Sequence, residues 1–406
     1  MPGRLWYTVR PKFFSQWPGF MSATLFTSAD HQFMAEAIAL AWRGLYTTHP
    51  NPRVGCVLVK DGQVVGRGWH QRAGEGHAEV LALHEAGAAA RGATAYVSLE
   101  PCSHHGKTPP CAEALIEAGV ARVISAMEDP NPQVAGGGHR LLQAAGITTA
   151  CGLLEVQARQ INPGFNRRMT LGLPWVMVKS AMSADGRTAM ASGESQWITG
   201  PQARADVQRL RARVEAIITG VETVLADNPA LTVRPALWPQ PLGGDHPHAG
   251  WSWPPDHAPV QPLRVVLDSQ LRTPVDAGLL RQPGATLIVG AVRDEPRAQA
   301  LAAAGAEVLV LPGANGRVDL QALLRELAAR EVNEVLVEAG AVVAGAFLQQ
   351  ELAQRWVCYM APKLMGSSAR PVLDFPLHHM HESRALELTD LRAIGQDIRM
   401  TFDWRP

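Results

Sequence analysis

Neither an excess of charge nor a long apolar run is present in this sequence. Lys plus Arg and Asp plus Glu number 37 each among 406 residues, so the formal net charge is zero. A sequence-independent nucleic-acid binder needs a basic excess to displace counterions, which argues against that class. A membrane-spanning helix needs about 18 consecutive apolar residues, and the sequence has no such run. We therefore expect neither a nucleic-acid partner nor a membrane partner.

Cysteine is also scarce, with five residues in the chain. A disulfide scaffold is far richer in cysteine, so that class of secreted protein is excluded. The thiols suit a reducing compartment, where a thiolate is structural, catalytic or metal-bound, and we expect a cytoplasmic location. The length fits two or three domains. A composition with 47% hydrophobic and 18% charged residues is typical of a globular protein.

Two segments lack the pattern of a packed element. Residues 1–29 precede the first acidic residue, Asp30, and have neither the unbroken apolar core nor the clear cleavage site of a secretory signal. We expect this extension to be disordered, with Met21 as an alternative start. Residues 235–262 contain eight prolines, which predicts a surface insertion.

Strand and helix patterns alternate between these segments. Apolar residues over 33–41 recur at helical spacing, and two β-rich runs flank the turn pair Asp61-Gly62, which predicts a hairpin. We interpret residues 30–153 as a three-layer α/β sandwich, joined through residues 154–173 to a second α/β unit at 174–406. Further predicted elements are helices at 77–90 and from 110, and strands at 95–99, 122–125, 174–178, 216–218, 265–267, 286–289 and 335–337.

The strongest chemical signal is His77-Ala78-Glu79 followed by Pro101-Cys102 and then Cys111. One imidazole and two thiolates form a three-ligand set for zinc that leaves a fourth position for water. Zinc lowers the pKa of that water toward neutrality, and Glu79 is placed to move its proton to a leaving amine. This pattern is the signature of zinc nucleobase deaminases, although eight residues separate the cysteines here where two are usual.

Other readings of these residues stay open. A closed structural zinc knot needs a fourth ligand, which His104 or His105 could supply. The segment from Ser103 to Thr108, which includes Lys107, suits a substrate phosphate but also fits a solvated loop. Asn51 offers the donor and acceptor needed to read a pyrimidine edge, and it also fits a proline-flanked turn.

The second half has no Gly-x-Gly-x-x-Gly motif after its first strand, so a Rossmann dinucleotide site is not expected. A strand at 335–338 runs into a turn rich in Gly and Ala at 339–346, a geometry that presents backbone N–H groups to phosphate. Such turns also arise from packing alone. Lys179 ends a strand whose apolar sequence predicts burial. A charge at that position suggests a second site, and Lys179 is a candidate proton source.

The two halves together resemble the bifunctional deaminase–reductases of riboflavin biosynthesis, from about residue 30 to the end. Within that family the longer cysteine spacing is normal. The matching segments are Thr48–Cys56, Gly76–Val80, Leu99–Cys111, Lys179, Asp185–Ala189, Ser192–Thr199, Asp227–Arg234 and Val337–Gly340.

The resemblance implies a cytidine-deaminase-like domain followed by a dihydrofolate-reductase-like α/β domain. It implies zinc-dependent hydrolysis of the 2-amino group of 2,5-diamino-6-ribosylamino-4(3H)-pyrimidinone 5′-phosphate. It then implies reduction of 5-amino-6-(5-phosphoribosylamino)uracil to the ribitylamino product with NADPH. One zinc ion per chain is expected, and self-association into a homo-oligomer is left open.

The resemblance also assigns site residues. Cofactor-binding positions are Ala181, Trp197, Thr223, Asp227, Ser269, Gly340, Ala341, Val342, Val343, Ala344, Gly345 and Ala346. Substrate-binding positions are Ser195, Arg211, Leu231, Arg234 and Glu338, to which we add Lys179 and Asn51. Sequence alone does not separate Arg211 from the solvated face of a helix that also contains Arg204, Arg209 and Arg213. Trp197 could also be a core residue.

Two rival functions remain at this stage. A deaminase of tRNA or free nucleosides with an unrelated second domain is opposed by the zero net charge and by the motifs of the second half. A zinc-stabilised binding or regulatory protein without turnover is opposed by Glu79, because a structural site has no use for an acid–base residue.

Overall fold

The chain is organised around two β-sheets that follow one another in sequence. The computed structural model describes residues 26–103, 110–132, 134–238 and 258–404. The first part of the chain forms α1 (Ser28–Ala41), β1 (Gly55–Lys60), β2 (Gln63–Trp69), α2 (Ala78–Ala86), β3 (Thr94–Val97), α3 (Cys111–Glu117), β4 (Arg122–Ser125), α4 (Gly137–Ala144) and β5 (Thr148–Cys151). Two helices, α5 (Glu155–Ile161) and α6 (Pro163–Leu171), then lead to the second sheet.

The first sheet is the centre of a three-layer sandwich, as predicted. Its strand order is β2-β1-β3-β4-β5, with β1 antiparallel to both neighbours and the remaining pairs parallel. One face packs on α1 and α5 through a core that includes Met34, Ile38 and Ile161. The other face packs on α2, α3 and α4 through a core that includes Leu115 and Leu142. Burial on both faces explains the apolar runs in its central strands.

Local sequence signals explain how these elements begin and end. Helix α1 starts two residues before Asp30, because the Thr27 side chain accepts a hydrogen bond from the Asp30 N–H and Asp30 accepts one from the Thr27 N–H, which is a capping box. The hairpin turn has positive φ at both Asp61 and Gly62, as a two-residue turn of this kind requires. The α-helix predicted to reach Ala90 ends at Ala86, and a 3₁₀ turn continues to that residue.

The second sheet has nine strands. Its elements are β6 (Trp175–Ser183), β7 (Arg187–Ala189), α7 (Pro201–Arg213), β8 (Ala216–Gly220), α8 (Val221–Asp227), β9 (Leu263–Leu267), β10 (Thr286–Gly290), α9 (Glu295–Ala303), β11 (Glu307–Val310), α10 (Leu320–Ala329), β12 (Glu334–Glu338), α11 (Ala341–Gln349), β13 (Arg355–Ala361), β14 (Arg370–Pro371), β15 (Leu386–Ile394) and β16 (Asp397–Trp404). The strand order is β11-β10-β9-β8-β12-β6-β13-β16-β15, and the short β7 and β14 pair separately.

Seven consecutive strands of this sheet are parallel, from β11 to β13, and only β16 and β15 are antiparallel. Apolar clusters cover both faces, with Leu323 and Phe347 on α10 and α11 in one of them and Val207 and Leu210 on α7 in another. The parallel arrangement places the carboxyl ends of β8, β9 and β12 at one edge, where ligands bind in open α/β sheets.

The two units are in direct contact. Leu45 and Tyr46 of the first unit pack against Ala212 and Val233 of the second. Trp238, at the start of the proline-rich insertion, packs edge-on against Tyr46 with ring centroids 5.2 Å apart. Residues 239–257 of that insertion and residues 1–25 of the predicted extension lie outside the described residues. Each helix in the described ranges is too short or too polar to cross a bilayer.

Candidate active sites

His77, Cys102 and Cys111 come together at one end of the first unit, with their ligand atoms all within 4.8 Å of one another. His77 is the N-cap residue of α2, and Cys111 is the first residue of α3, as the sequence predicted. His77 Nδ1 lies 3.2 Å from Cys111 Sγ and 3.6 Å from Cys102 Sγ. Within the described part of the chain, this is the one His, Cys, Asp or Glu cluster with such a spacing.

The cluster fits a zinc ion. Tetrahedral zinc with ordinary Zn–S and Zn–N bond lengths separates its ligand atoms by roughly 3.4–3.8 Å, close to the distances in this cluster. A hydrogen bond from Cys111, helped by His77, lowers the pKa of the Cys102 thiol to about 4. The same hydrogen bond and burial raise the pKa of Cys111. A divalent cation removes this conflict, because it stabilises both thiolates at once.

Glu79 lies in the first turn of α2, directly beside the cluster, and is only 3% exposed. Burial and the neighbouring Cys102 raise the pKa of its carboxyl group to about 7, although His77 and Cys111 act in the opposite direction. A carboxyl group with a pKa near neutrality can both accept and release a proton at cellular pH. The close packing of α2 on β2 fixes this position: a Cβ at Gly68 would lie 2.0 Å from the Ala78 carbonyl oxygen.

Asn51 is connected to the metal cluster through one intervening residue, His70. Its Nδ2 is 3.1 Å from Nε2 of His70, and the His70 ring packs edge-on against His77 with centroids 5.2 Å apart. His70 Nδ1 is 3.2 Å from the Gly76 carbonyl oxygen, so Nδ1 is the donor and Nε2 is left to accept from the Asn51 amide. This orientation leaves Oδ1 of Asn51 for a ligand. Burial lowers the pKa of His70, which keeps the ring neutral.

A second candidate site lies at the carboxyl edge of the parallel strands. Gly340 is exposed and is the N-cap of α11, and a Cβ there would meet nothing within 4 Å, so there is open space beside this helix start. Helix α8 begins at the same edge, and a Cβ at Gly220 would come within 3.1 Å of Val343. The starts of α8 and α11 therefore pack closely, and the exposed start of α11 could hold a cofactor phosphate.

The resemblance assigns seven cofactor-binding residues to the start of α11, Gly340 to Ala346, and these residues differ in burial. Ala344 and Gly345 are buried, and the Ala344 N–H donates to the Gly340 carbonyl oxygen within the helix. A Cβ at Gly345 would lie 2.3 Å from the Asp374 carbonyl oxygen. The space available to a phosphate is therefore beside residues 340–343, and Gly345 serves the packing of α11 on the segment around Asp374.

Charged groups converge at the same edge of the sheet. Arg211 makes a two-point ion pair with Glu338, with Nε–Oε1 and Nη2–Oε2 distances of 2.7 and 3.0 Å. Lys179 lies opposite Glu338 in the pairing of β6 with β12. Burial alone would raise the pKa of Glu338, but Arg211, Lys179 and Arg234 outweigh it and hold the pKa below its ordinary value. Burial lowers the pKa of Lys179.

The remaining predicted positions lie around the same edge. Ser195 Oγ is 3.5 Å from Asp227 Oδ1 at the end of α8, Ser269 follows β9, and Leu231 is buried after α8. Trp197 is 62% exposed and stacks under Arg204, so it is not a core residue. Arg209 is buried and Arg211 and Arg213 are half-buried, so this helix face is not solvated. Thr223 is half-buried in α8, and Ala181 is half-buried in β6.

Sequence reasoning missed two residues that shape the metal site. His70 had no motif to mark it, since a single histidine at a strand end carries no pattern. Glu100 stands next to Pro101-Cys102 and accepts backbone N–H bonds from Asp129, Gly136, Gly138 and His139. It thereby holds Asp129 and the start of α4 beside the ligand Cys102. His104, His105, Lys107 and Thr108 lie outside the described residues, so the predicted phosphate loop stays a prediction.

Fold and sites together define a zinc-dependent deaminase joined to an NADPH-dependent reductase. Two family models divide the chain in the same way. The cytidine and deoxycytidylate deaminase zinc-binding region matches residues 27–127, and the RibD C-terminal domain matches residues 174–400. The riboflavin biosynthesis protein RibD of Escherichia coli is 49% identical over 91% of this chain and 98% of its own. That of Haemophilus influenzae is 47% identical over 93% and 98%.

Solved structures agree over 93% of the chain. The Acinetobacter baumannii RibD structure, form 1, has a TM-score of 0.82 at 44% identity and covers 93% of this chain and 99% of its own. A Thermotoga maritima diaminohydroxyphosphoribosylaminopyrimidine deaminase/5-amino-6-(5-phosphoribosylamino)uracil reductase has a TM-score of 0.77 at 29% identity, with the same coverage. The chain belongs to the RibD family, the bifunctional deaminase–reductases of riboflavin biosynthesis.

Proposed function

We propose that this chain deaminates 2,5-diamino-6-ribosylamino-4(3H)-pyrimidinone 5′-phosphate in its first unit and reduces 5-amino-6-(5-phosphoribosylamino)uracil with NADPH in its second. The observation that carries the proposal is the presence of two groups of site residues in one chain. One is His77, Cys102 and Cys111 beside the buried Glu79. The other is the open start of α11 beside the Arg211–Glu338 pair.

In the deaminase site, Glu79 would transfer protons. Zinc, held by His77, Cys102 and Cys111, supplies activation of the attacking water when it is bound. Glu79, buried beside the metal ligands, would take a proton from the attacking water and deliver it to the leaving amine. Asn51, fixed by His70, would bind the pyrimidine edge through Oδ1. A deamination of this class requires these two functions together, acid–base transfer and orientation of the ring.

In the reductase site, the first turn of α11 would bind a phosphate of NADPH through the N–H groups of residues 340–343. Arg211, Arg234 and Ser195 would bind the phosphosugar, and Glu338 fixes Arg211 through its two-point ion pair. Lys179 would donate the proton to the sugar oxygen. Its lowered pKa reduces the free-energy cost of giving up that proton. Trp197, Thr223, Asp227, Ser269, Ala181 and Leu231 complete the proposed site.

We further propose that the two reactions take place on separate domains, at residues 30–153 and 174–406, joined by the segment 154–173 that contains α5 and α6. The two sites need different surroundings, because one reaction uses water and hydride transfer must exclude it. A cytoplasmic location and a homo-oligomeric state stay predictions from the sequence.

The experiment compares Gly340→Asp with Gly340→Asn. Asp and Asn are similarly good N-cap residues, so both variants should fold, but only Asp places a negative charge where the phosphate would bind. Reduction, followed as NADPH loss with the deaminated substrate, should fall at least roughly tenfold more in the Asp variant, the scale of one lost charge-assisted contact. Ammonia release from the diaminopyrimidine phosphate should stay normal in both variants.

Equal NADPH oxidation by the two Gly340 variants would contradict phosphate binding at this helix start. Loss of both reactions in a folded Asp variant would contradict the two separate sites. The complementary variant is Glu79→Gln, which should still oxidise NADPH when given the deaminated substrate.

A further inference from the structure

The segment that carries Asn51 is held by the second unit. It connects the first helix region to β1, and it lies against the amino ends of β8 and β12, opposite the edge that forms the reductase site. Asn333 Nδ2 donates to the Pro50 carbonyl oxygen over 2.8 Å. His49 Nδ1 lies 2.6 Å from Glu215 Oε1. The two residues directly before Asn51 thus contact the second unit.

A buried network of ion pairs lies in the same interface between the two units. Arg53 Nη1 is 2.7 Å from Glu334 Oε1, and Arg213 Nε is 2.6 Å from Glu334 Oε2. Arg53 is 3% exposed and Glu334 is 1% exposed. Burial alone would raise the pKa of Glu334, but Arg213, Arg53 and His49 hold it at about 2. The carboxylate is therefore ionised at cellular pH, and its removal would leave the buried Arg53 and the half-buried Arg213 without this counter-charge.

The backbone of Arg53 is fixed as well as its side chain. The Arg53 N–H donates to Asn162 Oδ1 over 2.8 Å, Asn162 Nδ2 donates back to the Arg53 carbonyl oxygen, and Arg53 Nη1 also donates to the Ile161 carbonyl oxygen. Glu215 Oε2 accepts from the Glu334 N–H over 2.9 Å. Glu215 and Glu334 are thus linked by a hydrogen bond, and their carboxylates contact His49 and Arg53, two positions before and two positions after Asn51.

We propose that Glu334 and Glu215, which belong to the reductase sheet, are positioning residues for the deaminase: they hold the segment Thr48–Arg53 so that Asn51 faces the metal cluster. The inference rests on the proposed role of Asn51. A shift of this segment changes the Asn51–His70 contact, and with it the place of the pyrimidine edge relative to Glu79. The deaminase site is therefore complete only when the reductase domain is docked against it.

A double-mutant cycle on the full-length protein tests this. Asn51→Ala should raise the KM for deamination of the diaminopyrimidine phosphate about tenfold, the effect of one lost hydrogen bond. Glu334→Gln should raise the same KM by a similar factor, with kcat changed by less and the zinc content unchanged. The double variant should be no worse than Asn51→Ala alone, because residues that act through one another are not additive. Glu331→Gln, an exposed carboxylate three residues earlier, is the matched control and should have a normal KM.

The outcomes distinguish the positioning role of Glu334 from the binding role of Asn51. Additive effects of Glu334→Gln and Asn51→Ala, or a normal KM in Glu334→Gln, would overturn the positioning role and leave that of Asn51 in place. A normal KM in Asn51→Ala would remove the role proposed for Asn51, and the inference with it. If Glu334→Gln loses zinc or its circular dichroism spectrum, Glu215→Gln, which removes a less buried carboxylate, takes its place in the cycle. Loss of fold in both variants would overturn the proposal in favour of a purely structural interface.

Discussion

Replacing Glu79 by Gln tests two properties of this carboxyl group separately. One is its role in catalysis, and the other is the loss of folding stability that its burial as a carboxylate causes. The zinc-loaded variant should keep its metal and lose deamination by at least roughly a hundredfold, the usual scale of a lost acid–base group. Glu85→Gln is the matched control, because Glu85 lies on the same helix and is exposed. Its ammonia release should be normal.

The effect on stability follows from the raised pKa of Glu79. Its carboxyl pKa is about 7 in the fold and 4.5 as its ordinary value, so in the metal-free protein the folded state holds this proton more tightly than the unfolded state. The stability from this group is fully present below about pH 4.5 and is lost as the pH rises through 7. The loss is of the order of 3 kcal/mol, at about 1.4 kcal/mol for each pKa unit.

The assay is unfolding of the chelator-treated proteins at several pH values. Metal-free Glu79→Gln should unfold at a higher midpoint than the wild type at pH 8, and the difference should disappear toward pH 4.5. His77, Cys102 and Cys111 are common to both proteins, so the difference reports on Glu79. Equal midpoints at pH 8 would refute the burial cost, and near-normal ammonia release from the zinc-loaded variant would show that another group moves the proton.

Three further outcomes are expected. Cys111→Ser should lose the zinc that the wild type holds at about one ion per chain, because two ligands do not make a stable site; full metal content by elemental analysis would contradict the ligand set. Gly345→Ala should lower the unfolding midpoint through a cost of about 1–3 kcal/mol, because its Cβ meets Asp374 at 2.3 Å, and an unchanged midpoint would contradict that packing. Arg211→Lys should raise the KM for the phosphosugar in the NADPH assay, since an ammonium cannot repeat the two-point pair; an unchanged KM would exclude a binding role for that guanidinium.

The metal site could be predicted because its signals are local. His77 and Glu79 are two residues apart, Cys102 follows a buried strand, and Cys111 follows a proline at a helix start. The resemblance to a known family then indicated where the reductase residues would lie. The environment of each residue was not accessible in this way. Gly345, for example, is close-packed against Asp374, a neighbour that no sequence pattern connects to it.

Two of the strands that the sequence did not predict have a physical explanation. Thr148–Cys151 is short and has no apolar run, and the alternation in β15 is interrupted by a register shift between Leu388 and Asp390. The contacts between the two units were equally hidden. Arg53 and Glu334 are 281 positions apart, and a buried arginine and a buried glutamate look like surface residues until the fold brings them together.

The network around Glu334 bears on how a two-domain enzyme of this kind could give rise to single-domain descendants. A reductase released from its partner would leave Glu334 beside Arg213 but without Arg53, and a released deaminase would keep Arg53 with no carboxylate near it. The deaminase product of a gene split would therefore begin with an uncompensated charge at its newly exposed surface, whereas the reductase product would keep its Glu334–Arg213 pair. A surviving deaminase lineage would then replace the arginine before β1, while the acid at the start of β12 would remain. The residue at the arginine position would thus record whether a single-domain deaminase descends from a fused ancestor.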